Sequence, residues 1–193
     1  ERVEYLDQHD TLFAEALITY FQYTPAENRA TDEAAPEGTT TARKPPAAQE
    51  HWHTKFEDVS FGSLNEDEAL PELAIPITHK LIVSAAIATQ DFIDVHHNAP
   101  AAREAAMPDI FMNILTTSGL CARYLSDWAG PGSRLRKLSF KLLAPNTPGD
   151  TMVMQGRVAK LDNTEAPLAT VEFAGKNSLG FHVTGSATLA LCP

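Results

Sequence analysis

Four segments after residue 130 decide most of what this chain can fold into. "SRLRKLSFKLLAP", "DTMVMQGRVAKLD", "PLATVEFAGKNS" and "FHVTGSATLAL" alternate in polarity and are separated only by "NTPGD", "NTEA" and "SLG". A period of two turns one side of each segment toward a core and the other toward water. Connections this short imply antiparallel neighbours. A sheet with one apolar face needs a cover, and the preceding stretch "DIFMNILTTSGLCARYLSDWAG" supplies one. Ile110, Ile114, Leu115, Leu120, Cys121, Tyr124 and Leu125 recur at helical intervals, with Gly130 placed as a C-cap. This helix reads as apolar nearly all round, as one wrapped by a sheet would be. Upstream, an extended apolar strand ends near Thr78, which is a good N-cap for the helix-length segment "HKLIVSAAIATQ". The expected class is α+β, a curved antiparallel sheet wrapped around a long central helix.

The first third reads differently. Leu6, Phe13, Leu17, Tyr20 and Phe21 fit an amphipathic helix over 3–23, and 24–51, with four prolines and no periodicity, fits a linker. The division expected is 1–65, an N-terminal helix plus Pro-rich linker suited to a partner, and 66–193, the folded domain. The 193 residues suit one domain with an extension. The formal charge is −10, and the sequence shows no basic stripe of the kind that nucleic acid requires. There is no run of eighteen apolar residues to span a membrane, and the acidic N-terminus lacks the order of a secretory signal. With only Cys121 and Cys192, no disulfide framework is expected, and the reducing cytoplasm is the expected compartment.

"ATQDFIDVHH", residues 88–97, places two carboxylates and two imidazoles at the exit of an apolar element. Asp91 either ends the preceding helix by bonding nearby backbone or pairs with His96 to move protons. "QDFIDVHHN", "PDIFMNILTTSGL", "RLRKLSFKLLAPNTPGDTMVMQGRV" and "GKNSLGFHVTGSATLAL" together resemble the MaoC-like hydratase family of hot-dog proteins. Within it they are most similar to the small catalytic subunits of two-chain enoyl-CoA hydratases of steroid side-chain degradation. The likeness covers roughly residues 70–191.

The resemblance implies a hot-dog fold and hydration of a 2-enoyl-CoA. It assigns the family's catalytic Asp and His to Asp91 and His96, and a thioester-polarising backbone N–H to Asn113, where many members carry Gly. Ile93 and Asp94 replace the usual Asn and Pro, as in the steroid subgroup. The implied substrate is an acyl-CoA that carries its own coenzyme A, with no separate cofactor and no metal. The implied partner is a second hot-dog subunit in a hetero-oligomer, with a homodimer as the other form.

These roles suit the chemistry. Hydration needs one group to deprotonate water and one to protonate the α-carbon, while a helix N-terminus offers donors to the enolate oxygen. His97 reads as solvent-facing and Asp94 as a loop residue. His51 and His53 are too few for a metal. Arg134, Arg136, Lys137 and Lys141 fit a solvated edge first and coenzyme A phosphates second. "GKNSLGFHV" reads as a hairpin turn, and Cys121 as inert helix filling. Three other readings remain: a hot-dog thioesterase, which would want an acidic residue in the central helix; an acyl-carrier-protein dehydratase; and a non-catalytic scaffold subunit.

Overall fold

The computed structural model describes residues 2–17 and 57–193. Residues 2–17 form an antiparallel hairpin, β1 (Arg2–Leu6) with β2 (Leu12–Leu17). The amphipathic helix expected over 3–23 is therefore not formed in this stretch. The reversal is held by Asp7, whose Oδ1 accepts from the His9 and Thr11 amides at 2.8 and 3.0 Å, while Asp10 adopts φ +59°. Side chain to backbone bonds of this kind compete with helix, and the helical spacing of Leu6, Phe13 and Leu17 spans the turn by coincidence. The expected Pro-rich linker, with His51 and His53, lies outside the described residues.

The remaining elements form a five-stranded antiparallel sheet around one long helix, which is the hot-dog arrangement. In chain order they are β3 (Ala69–Pro76), α1 (His79–Ala88), α2 (Ala99–Glu104), α3 (Ile114–Ala129), β4 (Arg134–Leu142), β5 (Thr151–Asp162), β6 (Leu168–Asn177) and β7 (Gly180–Ala190). The strand order is β3-β5-β6-β7-β4. β5, β6 and β7 are sequential neighbours as expected. β4 is not beside β5: it pairs with β7, Leu142 opposite Val183, so the 143–150 connection crosses from one edge toward the other. The "SLG" turn closes the β6–β7 hairpin, with Gly180 at φ +115°.

Met152, Met154 and Val158 of β5, Ala169, Val171 and Phe173 of β6, and Val183, Ala187 and Leu189 of β7 face α3 and are buried. α3 answers with Thr116, Thr117, Cys121, Tyr124, Leu125 and Ala129, which fall on one helical face. It is not buried all round: Gly119, Ser126 and Asp127 on its other side are exposed, and so are Ile114 and Leu115 in its first turn. Burial pushes the Cys121 thiol up to about 12, consistent with inert filling. The lower boundary of this unit precedes residue 66. The Val59 amide donates to Ala129 O and the Phe61 amide to Cys192 O, and Val59, Phe61 and Leu64 pack against the core.

α1 begins as its sequence suggests, with Thr78 Oγ1 accepting from the Leu81 amide at 3.0 Å. It ends in a Schellman motif: the Asp91 amide reaches Ala86 O at 2.9 Å and the Gln90 amide reaches Ile87 O at 3.1 Å, with Gln90 at φ +55°. This turn reverses the chain and aims Asp91 back toward α3. An exposed glutamine in a left-handed conformation is strained, so Gln90→Gly is expected to raise unfolding stability by roughly 0.5–1 kcal/mol. Urea unfolding of the two proteins checks this, and an unchanged or lower midpoint would contradict the strain. Residues 94–108, expected as a polar loop, contain a 3-10 turn (Asp94–His96) and α2. Among the described residues no helix is long and apolar enough to cross a membrane.

Candidate active site

Ile110 to Asn113 runs extended into α3, burying Ile110 and Met112 while the Met112 amide donates to Asn146 O at 3.0 Å. The intervening Phe111 then faces the other way, toward the 94–96 turn. Its carbonyl lies 2.7 Å from His96 Nδ1, and its ring meets the imidazole edge-on at 5.1 Å and 76°. A carbonyl only accepts, so Nδ1 carries the proton and Nε2 of the neutral ring is left as an acceptor. His96 Nε2 stands 3.4 Å from Asp91 Oδ2, with the two side chains 8% and 16% exposed. Two acceptors at that distance require either a proton on one of them or a shared donor such as water. Asp91 Oδ1 receives no hydrogen bond from a described residue, so one carboxylate oxygen is free for a ligand.

The third expected residue, Asn113, is the N-cap of α3 and is 3% exposed. Its Oδ1 accepts from the Thr116 amide at 2.8 Å, and its Nδ2 donates to Asp91 Oδ2 and to Thr89 Oγ1, each at 2.9 Å. Among the described residues, the backbone N–H groups of Asn113, Ile114 and Leu115 find no acceptor. The positive end of α3 therefore opens beside the Asp91–His96 pair. Ile87, Phe92, Ile93, Ile114 and Leu115, in the chain segments that carry the site residues, are exposed apolar side chains.

The other expected residues stand apart. Asp94 and His97 are exposed and pair with each other at 3.6 Å. Arg134, Arg136, Lys137 and Lys141 lie on the edge strand β4, exposed and without an ion pair to a described residue. No cluster of three or more possible metal ligands occurs among the described residues.

The sequence reading missed the side-chain role of Asn113 and also missed His182. His182 is 2% exposed, with Nδ1 2.7 Å from Ala144 O and Nε2 2.9 Å from Thr117 Oγ1. Burial lowers its pKa from the ordinary 6.5, against a smaller upward pull from the Ala144 carbonyl. The neutral ring is the folded form, so below about pH 6.5 the unfolded chain binds a proton that the folded chain resists. Its stabilising contribution is complete above that pH and declines as pH falls toward the lower folded value. His182→Gln should be less stable at pH 7.5 yet lose less on acidification to pH 5. Melting curves across that range read the difference, and parallel pH slopes for the two proteins would refute it.

No family model matches the chain. It is 41% identical over 122 residues to the beta subunit of 3-oxo-4,17-pregnadiene-20-carboxyl-CoA hydratase of Mycobacterium tuberculosis, covering 63% of this chain and 92% of that subunit. A chain in the crystal structure of the ChsH1-ChsH2 complex from the same organism superposes with a TM-score of 0.63 at 39% identity, over 66% of this chain and 98% of that one. The unliganded (R)-hydratase PhaJ1 of Pseudomonas aeruginosa shares the fold, with a TM-score of 0.63 at 17% identity over 70% and 86% of the two chains. With that identity across nearly the whole of a known subunit, and with that fold, the chain belongs to the MaoC-like hot-dog hydratase family.

Proposed function

We propose that this protein is a hydro-lyase that adds water reversibly across the double bond of a 2-enoyl-CoA, the acyl group being a steroid side chain. The observation that carries the reading is the Asp91–His96 pair, 3.4 Å apart beside the open N-terminus of α3. Its support from relatives is the pregnadiene-carboxyl-CoA hydratase subunit, 41% identical.

The geometry supports the following steps. One water sits between Asp91 Oδ1 and His96 Nε2 and passes a proton to the pair as its oxygen bonds to the β-carbon. Electrons shift onto the thioester oxygen, which takes hydrogen bonds from the free N–H groups at Asn113 and the first turn of α3, where the helix dipole favours negative charge. The pair then returns a proton to the α-carbon as the enolate collapses, so one water is consumed in all. No cofactor enters these steps. Arg134, Arg136 and Lys137, exposed on the edge strand and without an ion pair to a described residue, offer cations to the phosphates of coenzyme A.

A second hot-dog chain completes the site. Ile87, Phe92, Ile93, Ile114 and Leu115 are left exposed among the described residues, which suits a partner surface, and the ChsH1-ChsH2 relative is a two-protein complex. The test is to follow loss of enoyl-thioester absorbance with short-chain and steroid-derived enoyl-CoAs, with and without a co-encoded hot-dog chain. Hydration of the steroid-derived thioester, greatest with the partner, is expected. No hydration of any substrate with the partner present would end the enzyme reading.

A further inference from the structure

The side chain of Asn113 occupies the place where the two halves of the site meet. Its amide uses all its hydrogen-bonding capacity: Oδ1 takes the Thr116 amide and the Thr116 hydroxyl, while Nδ2 gives one hydrogen to Asp91 Oδ2 and one to Thr89 Oγ1. The orientation of the amide is forced. A backbone N–H can only donate, so the oxygen must face Thr116 and the nitrogen must face Asp91. Thr89 is held in turn, its hydroxyl donating to Ala85 O at 2.8 Å in the last turn of α1. The group is 3% exposed, so each lost bond leaves a buried polar atom unpaired.

A helix cap alone does not need this arrangement. Ser, Thr or Asp accepts from the third amide of a helix as well as Asn does. Of those residues only Asn carries, on the same rigid plane, an acceptor for the helix and donors directed away from it. We propose that Asn113 is a positioning residue: its Nδ2–H fixes Asp91 Oδ2 against His96, leaving Oδ1 to hold the attacking water. The inference rests on the hydratase reading for its kinetic consequence, but the coupling of Asn113 to the Asp91–His96 pair does not.

The tests are Asn113→Asp and Asn113→Ser, each assayed with the hot-dog partner present. Both keep an N-cap acceptor for Thr116, so α3 should still form, but each loses the two Nδ2 bonds and should melt below wild type, so kcat is read at a temperature where melting curves show each variant folded. Asn113→Asp sets a second carboxylate against Asp91, so kcat should fall at least tenfold with little change in KM, and the acid limb of the pH profile should move upward. Asn113→Ser should lower kcat without that displacement. Asp94 and His97 pair with each other and His182 contacts Thr117, and neither variant alters these groups.

The titration of the His96 ring, followed by NMR in wild type and Asn113→Asp, gives a readout independent of turnover. An upward displacement in the variant supports the coupling. An unmoved titration, or wild-type kcat and pH profile in both variants, overturns the proposal and leaves Asn113 as a cap. An inactive wild type with a displaced His96 titration overturns the hydratase reading while the coupling stands.

Discussion

Asp91→Asn is expected to lower kcat/KM for hydration by about 10²–10⁴-fold while leaving the unfolding midpoint nearly unchanged. The substitution is isosteric. The remaining amide oxygen can still accept from Asn113 Nδ2, the backbone amide of residue 91 still closes the α1 turn on Ala86 O, and His96 is still anchored by the Phe111 carbonyl. What disappears is the negative charge and the ability to take a proton from water. His96→Ala tests the other partner less cleanly, because removing a ring that is 6% exposed also empties the space against Phe111 and leaves its carbonyl without a donor. Its activity must be read beside its own melting curve.

If the two groups act on one water, the double variant will be scarcely worse than either single one, since groups that work as a unit lose their contribution together. Losses that multiply would mean separate roles and would break the shared-water mechanism. Full activity of a folded Asp91→Asn would remove Asp91 from the chemistry altogether.

Local pattern made much of this legible in the sequence. β5, β6 and β7 showed through their two-residue alternation and short turns, and α1 through Thr78, because each depends on neighbours along the chain. The pairing of β4 with β7 joins residues 41 to 56 positions apart, and nothing in either strand records its partner. At the N-terminus helical spacing was real, but Asp7 and Asp10 carry turn chemistry that outweighs it.

The site divides in the same way. Asp91 and His96 sit five residues apart, and one turn brings them together. Asn113 reaches Asp91 across 22 positions, so its side-chain role depended on how α1 packs against α3. The available hint was its type: an Asn three residues before Thr116 at a helix start is a capping pattern, which predicts the oxygen's partner but not the nitrogen's.

Gly130→Ala is expected to cost at least about 3 kcal/mol, a fall of roughly 6–12 °C in melting temperature for a unit of this size. Gly130 closes α3 at φ +89° and ψ 168°, a conformation that side chains resist. A Cβ there would lie 2.5 Å from Glu57 O and 2.6 Å from Asp58 Cα. Both are backbone atoms and cannot swing aside. They are also fixed in place, since the Val59 amide donates to Ala129 O at 3.0 Å and the Gly132 amide donates to Asp58 Oδ1 at 2.6 Å. Gly149 is the control: its φ is similar, +91°, but nothing lies within 4 Å of its Cβ position. Gly149→Ala should therefore cost only the conformational penalty, about 1–2 kcal/mol. The difference between the two midpoints in urea measures how tightly residues 57–59 bind the end of α3. Equal losses would mean that this segment yields freely. A larger loss at Gly130 would make residues 57–59 an integral part of the folded unit, so that a chain cut at residue 66 would lose stability even with every strand of the sheet intact.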